Sequence, residues 1–163
     1  MPQVILKLGN DISTDDIYPG RYMATVLPSE TPQFAFADRT EFNAKLKAGV
    51  PNGSVIVGGE NFGCGSSREQ AVSTLKGYEV AIVARSVARI FLQNSINLGL
   101  RVLICPGLDA EEGHDLEFTD DAVLNATTGQ RFPQVQLPQA RRAIMEAGGL
   151  IAYTRKRLVE SRT

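Results

Sequence analysis

Gly58-Gly59-Glu60-Asn61-Phe62-Gly63-Cys64-Gly65-Ser66-Ser67-Arg68-Glu69-Gln70-Ala71 decides the reading of this chain. It follows the apolar run Ser54-Val55-Ile56-Val57, which reads as a short buried strand, and leads into residues with helical spacing from about Ser67 to Lys76. The segment is therefore a strand, a glycine-rich turn and a helix start. Glycines let the backbone take positive φ and approach a ligand, and the first N–H groups of a helix have no partner within it. Such a turn suits a carboxylate or phosphate, and the planar fork of Arg68 matches either group.

Two nucleotide motifs are excluded. A phosphate loop needs Lys followed by Ser or Thr after its second glycine, but Cys64 follows Gly63. The dinucleotide fingerprint fails because Arg68 stands where its third glycine belongs. Two adjacent hydroxyls and a guanidinium remain. A purely structural alternative has Ser66 or Ser67 capping the helix, with Glu69 or Gln70 completing a capping box.

Outward from the turn, Val4 to Leu8, Val80 to Ala84 and Val102 to Cys105 read as strands. Helical spacing marks Thr40 to Lys47 and Val87 to Leu98, the latter with Val87, Ile90, Phe91, Asn94 and Leu98 on one face and Gly99 at its end. Alternating strands and helices imply parallel pairing. Beyond Asp109 the pattern changes to short strands near 115–118, 122–125 and 130–132, with Thr128-Gly129 as a hairpin turn. A last helix runs from Pro138 to Ala147, and Leu150-Ile151-Ala152-Tyr153 is expected to return to the sheet. Prolines and glycines over residues 28–53 are compatible with a loop able to close as a lid and equally with a rigid surface loop.

The 163 residues, 43% hydrophobic and 21% charged, fit one globular domain. A net charge of -1 gives no electrostatic footprint for nucleic acid or an anionic membrane. No segment has the apolar length to cross a bilayer, and Met1-Pro2-Gln3-Val4 does not read as a signal peptide, so a cytoplasmic location is expected. Cys64 and Cys105 are too few for a disulfide framework and lack metal-ligand spacing. The lone histidine, His114, has no evident partner as a base for Cys64 or as a metal ligand, so no metal site is expected.

Gly63-Cys64-Gly65-Ser66-Ser67-Arg68-Glu69 resembles the signature of the small subunit of isopropylmalate isomerase, a relative of the swivelling domain of aconitase. Further matches follow in register: Asp11-Ile12-Ser13-Thr14-Asp15-Asp16-Ile17 and Pro19-Gly20-Arg21-Tyr22, then Ala84-Arg85-Ser86-Val87-Ala88-Arg89-Ile90-Phe91 with Asn97-Leu98-Gly99-Leu100, and Glu146-Ala147-Gly148-Gly149-Leu150-Ile151. The resemblance implies an α/β fold, a three-layer β/β/α swivelling domain covering 1–163. The implied reaction is hydro-lyase chemistry, interconverting 2- and 3-isopropylmalate by loss and return of water in leucine biosynthesis.

By the same resemblance Ser66 is the base and Asp15 a catalytic carboxylate, while Ser67, Arg68 and Arg21 bind substrate carboxylates. Tyr22-Met23-Ala24-Thr25 takes the place of a substrate-selecting loop. Neither Met23 nor Ala24 can pair with a third carboxylate, which favours a small apolar branch. A homoaconitase or a citraconate or dimethylmalate hydro-lyase is the near alternative, and a noncatalytic anion-binding module the distant one. The chemistry also needs an electrophile for the departing hydroxyl. Two distant cysteines cannot ligate an iron-sulfur cubane, and the resemblance implies that a partner large subunit carries a [4Fe-4S] cluster as the electrophile.

Overall fold

The computed structural model describes residues 2–161. Four parallel strands, β1 (Val4–Lys7), β2 (Val55–Gly58), β3 (Ala81–Ala84) and β4 (Val102–Ile104), pair in chain order. β2 and β3 are buried along their whole length, which is why they read as unbroken apolar runs rather than as alternation. Side chains still divide by face. Ile56 and Ile82 enter a core shared with the helices, whereas Val55, Val57 and Val83 meet Leu116 and Val123 on the other side. Fully burying each of these isoleucines contributes about 1.5–3 kcal/mol.

Leu116 and Val123 belong to a second, antiparallel sheet of β5 (Leu116–Phe118), β6 (Ala122–Asn125) and β7 (Gln130–Pro133). Its last hairpin turns at Gly129, with φ of 81°. Helices, parallel sheet and small sheet thus form the three expected layers.

The 47-residue path from β1 to β2 carries α1 (Thr14–Ile17), a 3-10 turn (Gly20–Tyr22), a second (Thr31–Phe34) and α2 (Thr40–Lys47). α1 replaces the expected open loop because Ser13 and Asp16 form a reciprocal capping box over its first turn. Part of residues 28–53 is tied to the body of the fold, as a rigid loop would be. Thr31 is buried, its carbonyl accepts from the Thr74 hydroxyl at 2.7 Å, and the Tyr78 hydroxyl donates to the Pro32 carbonyl at 2.7 Å.

α3 (Glu69–Lys76) and α4 (Arg89–Leu98) follow β2 and β3. α4 starts two residues later than expected, and its buried face is Phe91, Ser95 and Ile96, leaving Ile90 52% exposed. Gly99 ends it in the left-handed region, φ 79°. α5 (Gln139–Glu146) begins just after Pro138. The stretch from Leu150 does not return to the sheet. It opens α6 (Leu150–Ser161), with the Tyr153 N–H bonded to the Gly149 carbonyl at 3.0 Å and the Thr154 hydroxyl to the Leu150 carbonyl at 2.8 Å. A short apolar run does not distinguish strand from helix, and the helix formers that follow decide it.

Candidate active site

Two connections, one after β1 and one after β2, meet at the carboxyl ends of the strands. Their main chains are laced together: Gly59 N–H donates to the Gly9 carbonyl at 3.1 Å, Asp11 N–H to Glu60 at 2.8 Å, Gly63 N–H to Ile12 at 2.7 Å and Thr14 N–H to Cys64 at 2.8 Å. The Thr14 hydroxyl adds a bond to the Ser66 carbonyl at 2.8 Å. Gly63 is required twice over. Its φ is 81°, and a Cβ there would lie 2.3 Å from the ring of buried Phe91.

The lacing leaves Ser66 and Ser67 exposed. Neither caps α3: the residue at the cap is Arg68, with no side-chain cap bond, so the purely structural reading of the two serines fails. Among the described residues, neither hydroxyl has a hydrogen-bond partner, and the N–H groups of Ser66, Ser67 and Glu69 donate to no protein acceptor. A turn with free hydroxyls and free amides is a receptor for an anion.

Arg68 and Asp15, far apart in sequence, are in direct contact. The Arg68 Nη1 donates to Asp15 Oδ1 at 2.5 Å and to the Tyr18 carbonyl at 3.3 Å, while Gly20 N–H donates to the same Asp15 oxygen at 2.9 Å. The Arg68 side chain is only 18% exposed, against 66% for Asp15. The Arg68 bond, then the Gly20 amide, hold the Asp15 carboxyl below the usual carboxylate range. A depressed pKa stabilises the fold above the unfolded carboxyl value, and that contribution is lost as pH falls through the lower folded value. Acid titration of unfolding should therefore show a loss of stability starting below about pH 4 that is smaller in Asp15→Asn, since Asp38 and Asp121, also held below the usual range, still contribute. Superimposable acid limbs for the two proteins would refute the coupling.

Arg21 does not join that pair. Its fork meets Asp38 through two bonds, Nη1 to Oδ2 at 2.9 Å and Nη2 to Oδ1. Its guanidinium lies 4.6 Å over the Tyr22 ring, which stacks on Phe34 at 4.1 Å and 12°. The buried Tyr18 hydroxyl donates to the Tyr22 carbonyl at 2.9 Å, and the Gln70 amide donates to the Met23 carbonyl at 3.2 Å. These hold the Tyr22-Met23-Ala24-Thr25 stretch beside α3, with Ala24 exposed and Met23 partly buried. Asp38 and Gly20 escaped the sequence reading. Asp38 lies 17 residues from its partner with no local motif to flag it, whereas Gly20 sat in a quoted motif without a stated reason.

The site is an open surface. A cleft of about 370 Å³ lies instead along β4, lined by Arg101, Leu103, Gln136 and Arg142 among others, and includes none of Asp15, Ser66, Ser67 and Arg68. The thiols do not form a ligand set for a cluster. Cys105 is fully buried, donates to the carbonyls of β7, and is pushed up to about 11 by burial, leaving only Cys64. His114 accepts the Glu111 N–H at 3.1 Å and lies 3.0 Å from the buried Asn125 amide, a structural role. No helix among the described residues is long and apolar enough to cross a membrane.

Comparison with known proteins gives one answer. Residues 28–106 match the family model described as the aconitase C-terminal domain. The chain is 41% identical to the isopropylmalate/citramalate isomerase small subunit of Methanocaldococcus jannaschii, over 96% of this chain and 95% of the relative. It is 38% identical to the 3-isopropylmalate dehydratase small subunit of Heliobacterium modesticaldum, over 97% and 96%. The crystal structure of 3-isopropylmalate dehydratase from Methanocaldococcus jannaschii superposes with a TM-score of 0.87 at 37% identity, covering 98% of this chain and 96% of that one. With its three layers and its glycine turn laced to the loop after β1, this chain belongs to the 3-isopropylmalate dehydratase small-subunit family, within the aconitase superfamily.

Proposed function

We propose that this chain is the small subunit of a two-subunit hydro-lyase that interconverts 2- and 3-isopropylmalate in leucine biosynthesis, acting as one cytoplasmic unit over its whole length. The observation that carries the reading is the pair of unpartnered hydroxyls, Ser66 and Ser67, on the turn that leads into the fixed Arg68–Asp15 pair. Ser66 acts as an alkoxide, its negative charge stabilised by the free amides that flank it, and becomes the neutral hydroxyl on taking the carbon-bound proton. Ser67 and Arg68 hold substrate carboxylates. Asp15 acts on the substrate through Arg68, whose fork it orients, with the Gly20 N–H fixing Asp15 in turn.

This chain supplies no electrophile for the departing hydroxyl, since Cys105 is buried and Cys64 is left alone. The partner large subunit supplies it, through the [4Fe-4S] cluster that the family resemblance implies for that subunit. Its surface closes the open site from above. Met23 and the exposed Ala24 present no cation to a third carboxylate, which suits an alkyl-branched diacid and disfavours homoaconitate.

Reconstitution tests this. The chain alone should give no isomerisation, and adding its large subunit should restore turnover. Within a panel of 2-isopropylmalate, citramalate and homoaconitate, the isopropyl substrate should have the highest kcat/KM. Citramalate is included because one close relative is named for both substrates. Turnover by the chain freed of any partner and of iron would refute the subunit assignment, and preference for homoaconitate would refute the substrate.

A further inference from the structure

Two arginines near the turn each meet an aspartate, but the two pairs are built differently. Arg68 is mostly buried, and both it and Asp15 have additional main-chain partners, so that pair is anchored. Arg21 and Asp38 are more than half exposed, at 54% and 52%, and Asp38 makes no other side-chain hydrogen bond among the described residues. We propose that Asp38 is a placeholder carboxylate, which occupies the Arg21 fork until a carboxylate of the substrate displaces it. This rests on the reading of Arg21 as a substrate ligand.

The geometry supports exchange in three ways. First, Asp38 uses both terminal nitrogens of Arg21 with both of its oxygens, the pattern that a substrate carboxylate would itself adopt. Second, the fork has a support independent of Asp38. Its Cζ lies 4.6 Å over the Tyr22 ring, and Tyr22 is held by stacking on Phe34 and by the Tyr18 hydroxyl at its carbonyl, so the guanidinium keeps a support when Asp38 leaves. Third, an ion pair this exposed is worth little in water, so a ligand held at other points removes Asp38 at small cost.

Charge supplies the direction of the exchange. Arg21, Arg68, Asp15 and Asp38 together are neutral, and the Arg21 bond holds the Asp38 carboxyl below the usual carboxylate range, with Asp15 only a minor opposing charge. A dicarboxylate entering this quartet repels both aspartates. Asp38, on an exposed turn before α2, can move into solvent, whereas Asp15 is held by Gly20 and Arg68. Asp38 thereby fills the fork while no substrate is present and yields it to a diacid held at other points.

The test uses the assembled two-subunit enzyme and 2-isopropylmalate. Asp38→Asn removes the competing charge, so KM should fall about 2–5-fold, and kcat/KM should rise with it. Asp38→Glu keeps a carboxylate within reach and should not lower KM. Arg21→Gln, measured in parallel, should raise KM at least tenfold. If Arg21→Gln leaves KM unchanged, the reading of Arg21 as a substrate ligand fails. If Arg21→Gln raises KM but Asp38→Asn leaves it unchanged or raises it, the placeholder role fails and Asp38 is a fixed orienting group. Should Asp38→Asn fold poorly, Asp38→Ser is judged by the same KM criterion.

Discussion

In the assembled enzyme, Ser66→Ala lowers kcat by about 10³-fold, while the melting temperature of the chain and its association with the large subunit stay unchanged. The structure separates these two outcomes. The Ser66 hydroxyl is exposed and bonds to nothing among the described residues, and what ties this residue to the loop after β1 is its main-chain carbonyl, which accepts from Thr14. Alanine keeps that carbonyl, so the fold loses no contact. With Ser66 as the proposed base, the reaction loses its proton acceptor. Steady-state turnover with thermal unfolding and size-exclusion of the complex checks both halves, and kcat within tenfold of the parent would mean that another group is the base.

Arg68→Lys should reduce kcat/KM about 10²-fold, the second-largest effect expected here. The guanidinium reaches Asp15 and the Tyr18 carbonyl while directing its remaining N–H groups elsewhere. An ammonium has no such fork. A lysine can keep the ion pair or reach the substrate, but it cannot hold the two in a fixed relation. The loss should appear in KM as well as kcat, because a ground-state carboxylate contact is removed. Unchanged substrate saturation would show that Arg68 is only a brace for Asp15 and its loop.

Much of the fold was legible because its central strands are short, apolar and punctuated by glycine or proline. Val55 to Gly58 and Ala81 to Ala84 appear close to where the sequence put them, and α2 matches its expected bounds. Legibility failed where local pattern underdetermines structure. Leu150 to Tyr153 is apolar enough for a strand, yet it starts a helix, and residues 13–17 look like a polar loop until Ser13 and Asp16 are seen capping each other. The glycine turn was readable as a motif, but the reason for Gly63 was not, since it depends on Phe91 from another helix. For the site, sequence supplied the residues and the structure supplied their pairing. Nothing in the spacing of Asp15 and Arg68, or of Arg21 and Asp38, foretells which acid meets which base.

The two kinds of bond around the turn bear on how this enzyme family can diversify. Main-chain hydrogen bonds carry most of the lacing from Gly9 to Cys64, so side-chain drift along these loops leaves the catalytic frame in place. The stretch from Tyr22 to Thr25 hangs partly from two side chains, the Tyr18 hydroxyl and the Gln70 amide, and both grip carbonyls rather than side chains. Met23 and Ala24 can be exchanged without releasing either grip. On the proposed role of this stretch in substrate selection, a lineage changes which diacid it accepts by mutation at these two neighbouring positions and inherits its chemistry intact.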